Sequence, residues 1–222
     1  SPPVCPYDTL HRTTRDDQFP VPDWYGPSMA NLPPHDLILS HVRSSRSKWG
    51  PPPPRGVTPV APGPGQESVW DFPRPPRVDP VPERVVVTHA GVVLVDTDRA
   101  RRIVETAGAP VVYVPLDTVK PNVLRENDNV TVCEWKGAAV HFDLELEGVP
   151  VVRDAAFTYP DPLTDLRQGY ETVAGWVGFY PQRVDSITMD GEVVRPQGGF
   201  YAGWVTDKIV GPIKGGPGTG HW

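Results

Sequence analysis

The stretch Gly137-Ala138-Ala139-Val140-His141-Phe142-Asp143-Leu144-Glu145-Leu146-Glu147 alternates strictly from Val140 onward. Val140, Phe142, Leu144 and Leu146 fall on one side, and His141, Asp143, Glu145 and Glu147 on the other. A strand sends successive side chains to opposite faces, so this pattern predicts a strand with one buried and one polar face. Glu147-Gly148 supplies a turn. The run over 149–157 returns as the partner of 138–146. A strand pair of this kind places the protein in the β classes.

Working outward, the same grammar recurs. Val85-Val86-Val87 and Val92-Val93-Leu94-Val95 flank Thr88-His89-Ala90-Gly91, which reads as a hairpin of β-branched strands. Ile187-Thr188-Met189 and Glu192-Val193-Val194 flank Asp190-Gly191, a type I′ signal. Further strands are predicted at 110–114, 129–135 and 174–180, with turns over 158–171 and one helical turn near 162–168. Ala100, Ile103, Val104 and Ala107 recur at helical spacing, so one short helix is predicted over 98–107, closed by Gly108. About eight short strands with one helix make a mainly β domain. No βαβ rhythm appears, which argues against a nucleotide-binding parallel sheet.

The front of the chain is different. Of 30 prolines, 20 fall within the first 82 of the 222 residues. Residues 1–66 form a proline-rich arm, with an extended run at Pro20–Pro27, a helical candidate at 35–47 and a polyproline segment at Pro51–Pro54. The helical candidate presents Leu37, Ile38, Leu39 and Val42 as one apolar face. Trp24, Tyr25 and Trp49 favour an arm that wraps the main domain at 67–222, because disordered segments are poor in such residues. Trp70 and Phe72, two apart, read as an aromatic clasp.

Bulk properties exclude several functions. The net charge of −6 offers no electrostatic attraction to nucleic acid or to an anionic membrane. No apolar run reaches bilayer length. Cys5 and Cys133 are the two cysteines; a disulfide between them is arithmetically allowed, but a free buried Cys133 is the plainer expectation. No secretory leader is read, and the expected location is cytoplasmic. The histidines show no HxH or HExxH spacing, so no metal and no cofactor are expected. Lys214 precedes the glycines of the tail, opposite to a phosphate loop, and the tail is read as a strap.

Several spaced motifs resemble a known family. Cys133-Glu134-Trp135-Lys136-Gly137, Tyr159-Pro160-Asp161-Pro162, Phe179-Tyr180-Pro181 with Arg183-Val184-Asp185, and Gly199-Phe200-Tyr201 with Gly203-Trp204 occur in the order found in the DUF427 family. The resemblance spans about 67–222. It implies a β-tent, two antiparallel sheets over a cleft, similar to the Mss4-like group. Zinc-bearing relatives in that group use paired cysteines, which this chain lacks. The family is also filed under a nucleotidyltransferase label, and a label does not establish chemistry.

Two sets of residues are candidates for chemistry. Strand periodicity puts Glu134 and Lys136 on one face and His141 and Asp143 together on another, and a bend at Gly137 would bring all four into one cleft. Glu134 or His141 would serve as base, with Lys136, Tyr159 or Tyr201 as electrostatic partners. Trp135, Asp143, Asp161, Tyr180 and Trp204 would line the ligand site, where aromatic rings bury ligand surface. The plainer alternative is a structural Glu134–Lys136 pair, a solvent-facing His141 and rings that only pack. Three functions follow. The first is a metal-independent pocket for a small molecule, with proton-transfer chemistry (isomerase, cyclase or lyase) if it is catalytic. The second is a non-catalytic ligand- or peptide-binding module, and the third is nucleotidyl transfer. A small-molecule partner is expected in the first two. The sequence leaves the oligomeric state open.

Overall fold

The alternating stretch is a strand, and it is buried on both faces. In the computed structural model, which describes residues 32–50, 52–220 and 222, strand β8 (Gly137–Leu144) is buried at every position. Cys5, and with it a Cys5–Cys133 pairing, lies outside the described residues, as do Trp24, Tyr25 and the extended run Pro20–Pro27.

One sheet holds seven strands in the order β2 (Arg77–Val81), β5 (Ala100–Val104), β6 (Val111–Val114), β10 (Val177–Phe179), β9 (Val152–Thr158), β8, β7 (Leu124–Cys133). Every pairing in it is antiparallel. The second sheet orders β12 (Glu192–Val193), β11 (Ser186–Met189), β3 (Val85–His89), β4 (Val92–Thr97), also antiparallel. Two small pairs complete the set: β1 (Glu67–Ser68) runs parallel to β15 (Ile209–Val210), and β13 (Arg195–Pro196) antiparallel to β14 (Trp204–Val205). The fold is mainly β. Two large antiparallel sheets share one core, as a β-tent requires.

That core takes Val140, Phe142 and Leu144 from β8, Val112 and Val114 from β6, and Val85, Val87, Leu94 and Ile187 from the smaller sheet. Each such side chain contributes about 1.5–3 kcal/mol when fully buried. The opposite face of the seven-stranded sheet carries Ile103, Tyr113, Ala139, Phe157 and Tyr159. The alternation along β8 is therefore real, but its polar face is roofed as well. The hairpin turns follow the sequence: Ala90-Gly91 has φ of 48° and 74°, and Asp190-Gly191 has φ of 48° and 84°, as type I′ demands.

The predicted helix over 98–107 is a correction. Ala100–Val104 is strand β5, paired on both sides, with Ile103 opposite Val78 and Val111. Its apolar residues divide between two buried faces, so their spacing imitated a helix. Ala107 lies past the strand at φ 68°. Val177–Phe179 is shorter than the strand predicted over 174–180; near 162–168 the chain makes a single turn, with Arg167 N donating to the Thr164 carbonyl at 3.1 Å, and a 3-10 turn follows at Tyr170–Val173.

The one α-helix among the described residues, α1 (His35–Arg46), belongs to the arm. The Pro34 carbonyl accepts from the N–H groups of Leu37 and Ile38, both at 3.1 Å. Asp36 in the first turn and Arg43 and Arg46 in the last suit the helix dipole. Ile38 and Val42, one turn apart, enter the main core, whereas Leu37 is 37% exposed. The buried stripe is thus narrower than the four-residue face predicted from the sequence.

Gly178 shows how tightly the aromatic face is built. A Cβ there would lie 2.8 Å from Phe157 Cζ, because the Phe157 ring covers the glycine of the neighbouring strand. Gly178→Ala is expected to destabilise the fold by about 1–3 kcal/mol through overpacking. Gly216→Ala, where nothing lies within 4 Å, should be near neutral. Urea denaturation of the two variants checks the contrast.

Candidate functional site

Glu134, Trp135 and Lys136 form the turn between β7 and β8, so strand periodicity does not govern them. They diverge, which corrects the expected Glu134–Lys136 pairing on one face. The Glu134 carboxylate accepts the Trp49 indole N–H at 2.7 Å, and its carbonyl accepts Arg46 Nε at 2.6 Å. It is bound to the arm. Lys136 turns inward, 9% exposed, with Nζ 5.1 Å from the Tyr159 ring centroid.

The carboxylate that faces Lys136 is Glu105, which sequence reasoning missed. Strand alternation carries Arg101 and Ile103 of β5, and Glu105 just beyond it, toward the aromatic face. Glu105 Oε1 accepts from Arg74 Nε at 3.1 Å and from Trp135 Nε1 at 3.4 Å, and lies 3.6 Å from Lys214 Nζ. Burial opposes ionisation of Glu105, but Lys214, Arg74 and Lys136 together hold its carboxyl below the usual range. Burial likewise opposes the Lys136 charge. Cys133, Tyr113, Tyr159 and Glu105 outweigh it and hold the ammonium well above the usual lysine value, with Glu105 supplying the standing negative charge. Arg74, Lys136 and Lys214 thus gather around one acid.

Rings wall this cluster. Tyr113 and Tyr159 each meet the Phe157 ring edge-on, at 5.8 and 6.0 Å between centroids. Burial raises the pKa of both phenols, that of Tyr159 by far, so both stay protonated. The Tyr113 hydroxyl is buried beside Lys136 and makes no hydrogen bond of acceptable geometry. Tyr201 lies with its ring 5.2 Å from Lys214 Nζ, and the Arg74 guanidinium stacks 3.9 Å from the Trp49 ring centroid. Gln197 ties the tail to this end of the sheet: its amide donates to the Lys214 carbonyl at 2.9 Å and accepts from Ala109 N at 3.0 Å. A Cβ on Gly203 would lie 2.0 Å from the Gln197 Oε1 atom, so the Gly203-Trp204 motif makes room for this link.

The other candidates separate. His141, expected to face solvent, is 3% exposed and stacks on Tyr180 at 6.2 Å. Its Nε2 lies 3.0 Å from Thr131 Oγ1, and its Nδ1 is buried without a partner. Burial lowers its pKa, outweighing the nearby Asp154, so the ring is neutral. Tyr180 is pushed up to about 12, mainly by burial. Asp143 does not reach the cluster. Its carboxylate accepts from Asn127 Nδ2 at 2.6 Å, from Asp154 N at 3.0 Å and from Arg153, pinning the register shift between β8 and β9. It sits just under the surface beneath an Arg153 side chain that is itself 76% exposed. Burial works against its charge, but these hydrogen bonds lower its pKa. Asp161 is bound to His35 of the arm, with His35 Nε2 3.0 Å from its carbonyl oxygen and 3.3 Å from its carboxylate. Trp204 belongs to the main core, its indole donating to the Phe179 carbonyl at 3.0 Å, and not to the aromatic cluster of Tyr113, Phe157 and Tyr159.

Two open depressions lie elsewhere. One of about 510 Å³ is lined by side chains that already pair, Arg84 with Asp96 and Arg99 with Asp117. Another of about 230 Å³ lies among Val81, Glu83, Arg102, Trp204 and Lys208. The charge imbalance and the orphan phenol lie at the Glu105 cluster, which we take as the candidate site. Among the described residues no three His, Cys, Asp or Glu side chains gather as metal ligands, and no helix is long and apolar enough to cross a membrane.

Residues 77–190 match the family model described as a domain of unknown function, DUF427. The match covers just over half of the chain, and the chain belongs to that family. No curated protein matches it. Lys136 lies within the matched span, as does Glu105, whereas Arg74, Lys214 and Trp49 lie outside it.

A pH dependence follows from His141. Its folded-state pKa is lower than its unfolded value, so its stabilising contribution is present above about pH 6.5 and is lost as pH falls toward the folded value. Urea midpoints measured from pH 7.5 to 5 should therefore drop in the parent protein. The drop should be smaller in His141→Phe, whose ring cannot charge. Parallel curves would show that His141 does not titrate differently in the two states.

Proposed function

We propose that this protein is a small-molecule-binding domain that recognises a small organic anion at the Glu105 cluster. The observation that carries this reading is that two cations, Arg74 and Lys214, pair with the carboxylate of Glu105, with the buried Lys136 close enough to lower its pKa, behind aromatic walls. Charges withdrawn from water need partners; Arg74 also donates to the Thr106 and Trp222 oxygens, whereas among the described residues Lys214 pairs with Glu105 alone and Lys136 with no carboxylate, which leaves this group net positive. A ligand carboxylate would complete it, accepting from the ammonium groups and from the unpartnered Tyr113 hydroxyl. The rings of Tyr113, Tyr159 and Trp135 would cover an apolar ligand body.

The electrostatics favour recognition over proton transfer. A base works best with a pKa near the working pH. Glu105 is held low and Lys136 high, so neither exchanges a proton readily near neutrality. The expected bases are otherwise engaged, Glu134 by Trp49 and His141 by Thr131. One observation supports the enzymatic alternative. A carbonyl oxygen lodged between Tyr113 and Lys136 would be polarised, as an isomerase, cyclase or lyase acting through an enolate requires. No arrangement among the described residues favours nucleotidyl transfer.

The binding reading is tested by calorimetric titration with naphthalene-2-carboxylate and its neutral carboxamide. The carboxylate should bind and the carboxamide should not. Lys136→Met and Lys214→Met should each weaken binding by roughly ten- to a hundredfold, since a charge-assisted hydrogen bond contributes about 1.5–3 kcal/mol. Equal binding of the two probes, or Lys136→Met binding as the parent does, would overturn the reading.

A further inference from the structure

The cation cluster already holds a ring, and that ring comes from the arm. Trp49 follows the C-terminus of α1 and packs half-buried against the aromatic cluster. Its ring centroid lies 3.9 Å from the Arg74 guanidinium carbon and 6.0 Å from Lys214 Nζ, and its N–H donates to Glu134. The two cations that pair with Glu105 are thus also the two that face this indole.

We infer that Trp49 is a displaceable occupant of the anion site, and that the ligand is a planar aromatic anion whose ring replaces the indole over Arg74. This rests on the binding reading above. The indole satisfies the face of the guanidinium but carries no negative charge, so it leaves the excess charge of the cluster unanswered. An aromatic carboxylate offers the same stacking and adds ionic hydrogen bonds to Lys214 and Lys136. The arm is anchored independently of the ring. Ile38 and Val42 sit in the main core, and Arg46 bonds both the Glu134 carbonyl and Asp165, at 2.6 and 2.5 Å. The indole can therefore leave while α1 stays docked. A tethered competitor lowers the apparent affinity by the fraction of time the site is open, so the arm sets the ligand concentration to which the protein responds.

The test titrates the full chain and its Trp49→Ala variant with naphthalene-2-carboxylate by calorimetry. Trp49→Ala is expected to bind at least tenfold more tightly than the parent. Binding by the variant alone would also support the inference. Equal or weaker binding by the variant, with the parent still binding and Lys136→Met impaired, would make Trp49 a wall of the site. The inference would then fall and the binding reading stand. Binding by neither protein would overturn both. The indole N–H resonances of the parent give a second measurement, with Trp49 assigned through Trp49→Phe. On saturation with the probe the Trp49 signal should move to the position of a solvent-exposed indole. An unmoved Trp49 signal at saturation would overturn the displacement.

Discussion

The constraint on which the rest of this structure depends is the burial of β8 on both faces. A strand with one solvated face would need only the second sheet to cover it. Because Ala139, His141 and Asp143 are buried as well as Val140, Phe142 and Leu144, a second roof is required. Phe157, Tyr159, Trp135 and the arm residue Trp49 supply it. Polar groups beneath that roof must find partners inside the protein, because an unpaired buried polar group is costly. Asp143 finds three donors. His141 finds Thr131 and stays neutral. The Tyr113 hydroxyl makes no hydrogen bond of good geometry, and it lies beside the Lys136 ammonium.

The same constraint explains the electrostatics of the candidate site. Glu105 stands beyond the end of β5, where the sheet meets the chain around Arg74 and the tail around Lys214. These groups are far apart in sequence and come together because β1 and β15 pair and Gln197 binds the tail to Ala109. Each ionised side chain perturbs the others: Glu105 is held anionic by three cations, and Lys136 is held cationic partly by Glu105. The result is a preorganised charge pattern. Glu134 and His141, the bases expected from the sequence, lie apart from it and are engaged by Trp49 and Thr131.

Much of the fold was legible from local pattern. The alternation over Val140–Leu146, the β-branched runs around Ala90-Gly91 and the Asp190-Gly191 turn are short-range signals, and short-range sterics decide them. The errors share a cause. The run over 98–107 imitated a helix because a strand buried on both faces loses period-two polarity, so Ile103 and Val104 sit adjacent without contradiction. Glu134 and Lys136 were expected to share a face because they were read as strand, whereas the chain turns at Glu134–Lys136 and Gly137 takes φ 95°. Of the expected site residues, Lys136, Trp135, Tyr159 and Tyr201 lie at the cluster. Asp143, Asp161 and Trp204 hold the scaffold elsewhere. Glu105, Arg74 and Lys214 carried no motif that pointed to them.

The sequence by itself determined the β class, the hairpins and the residues whose apolar character had to be buried, since alternation and turn chemistry act over a few residues. It also marked Cys133–Gly137 as a candidate place for chemistry. Only the tertiary structure decided which charges meet. Coulombic and hydrogen-bonding interactions depend on distance in space, and the pairs Glu105–Lys214, Glu105–Arg74 and Glu134–Trp49 are set by sheet order and by the path of the arm. No spacing along the chain encodes them.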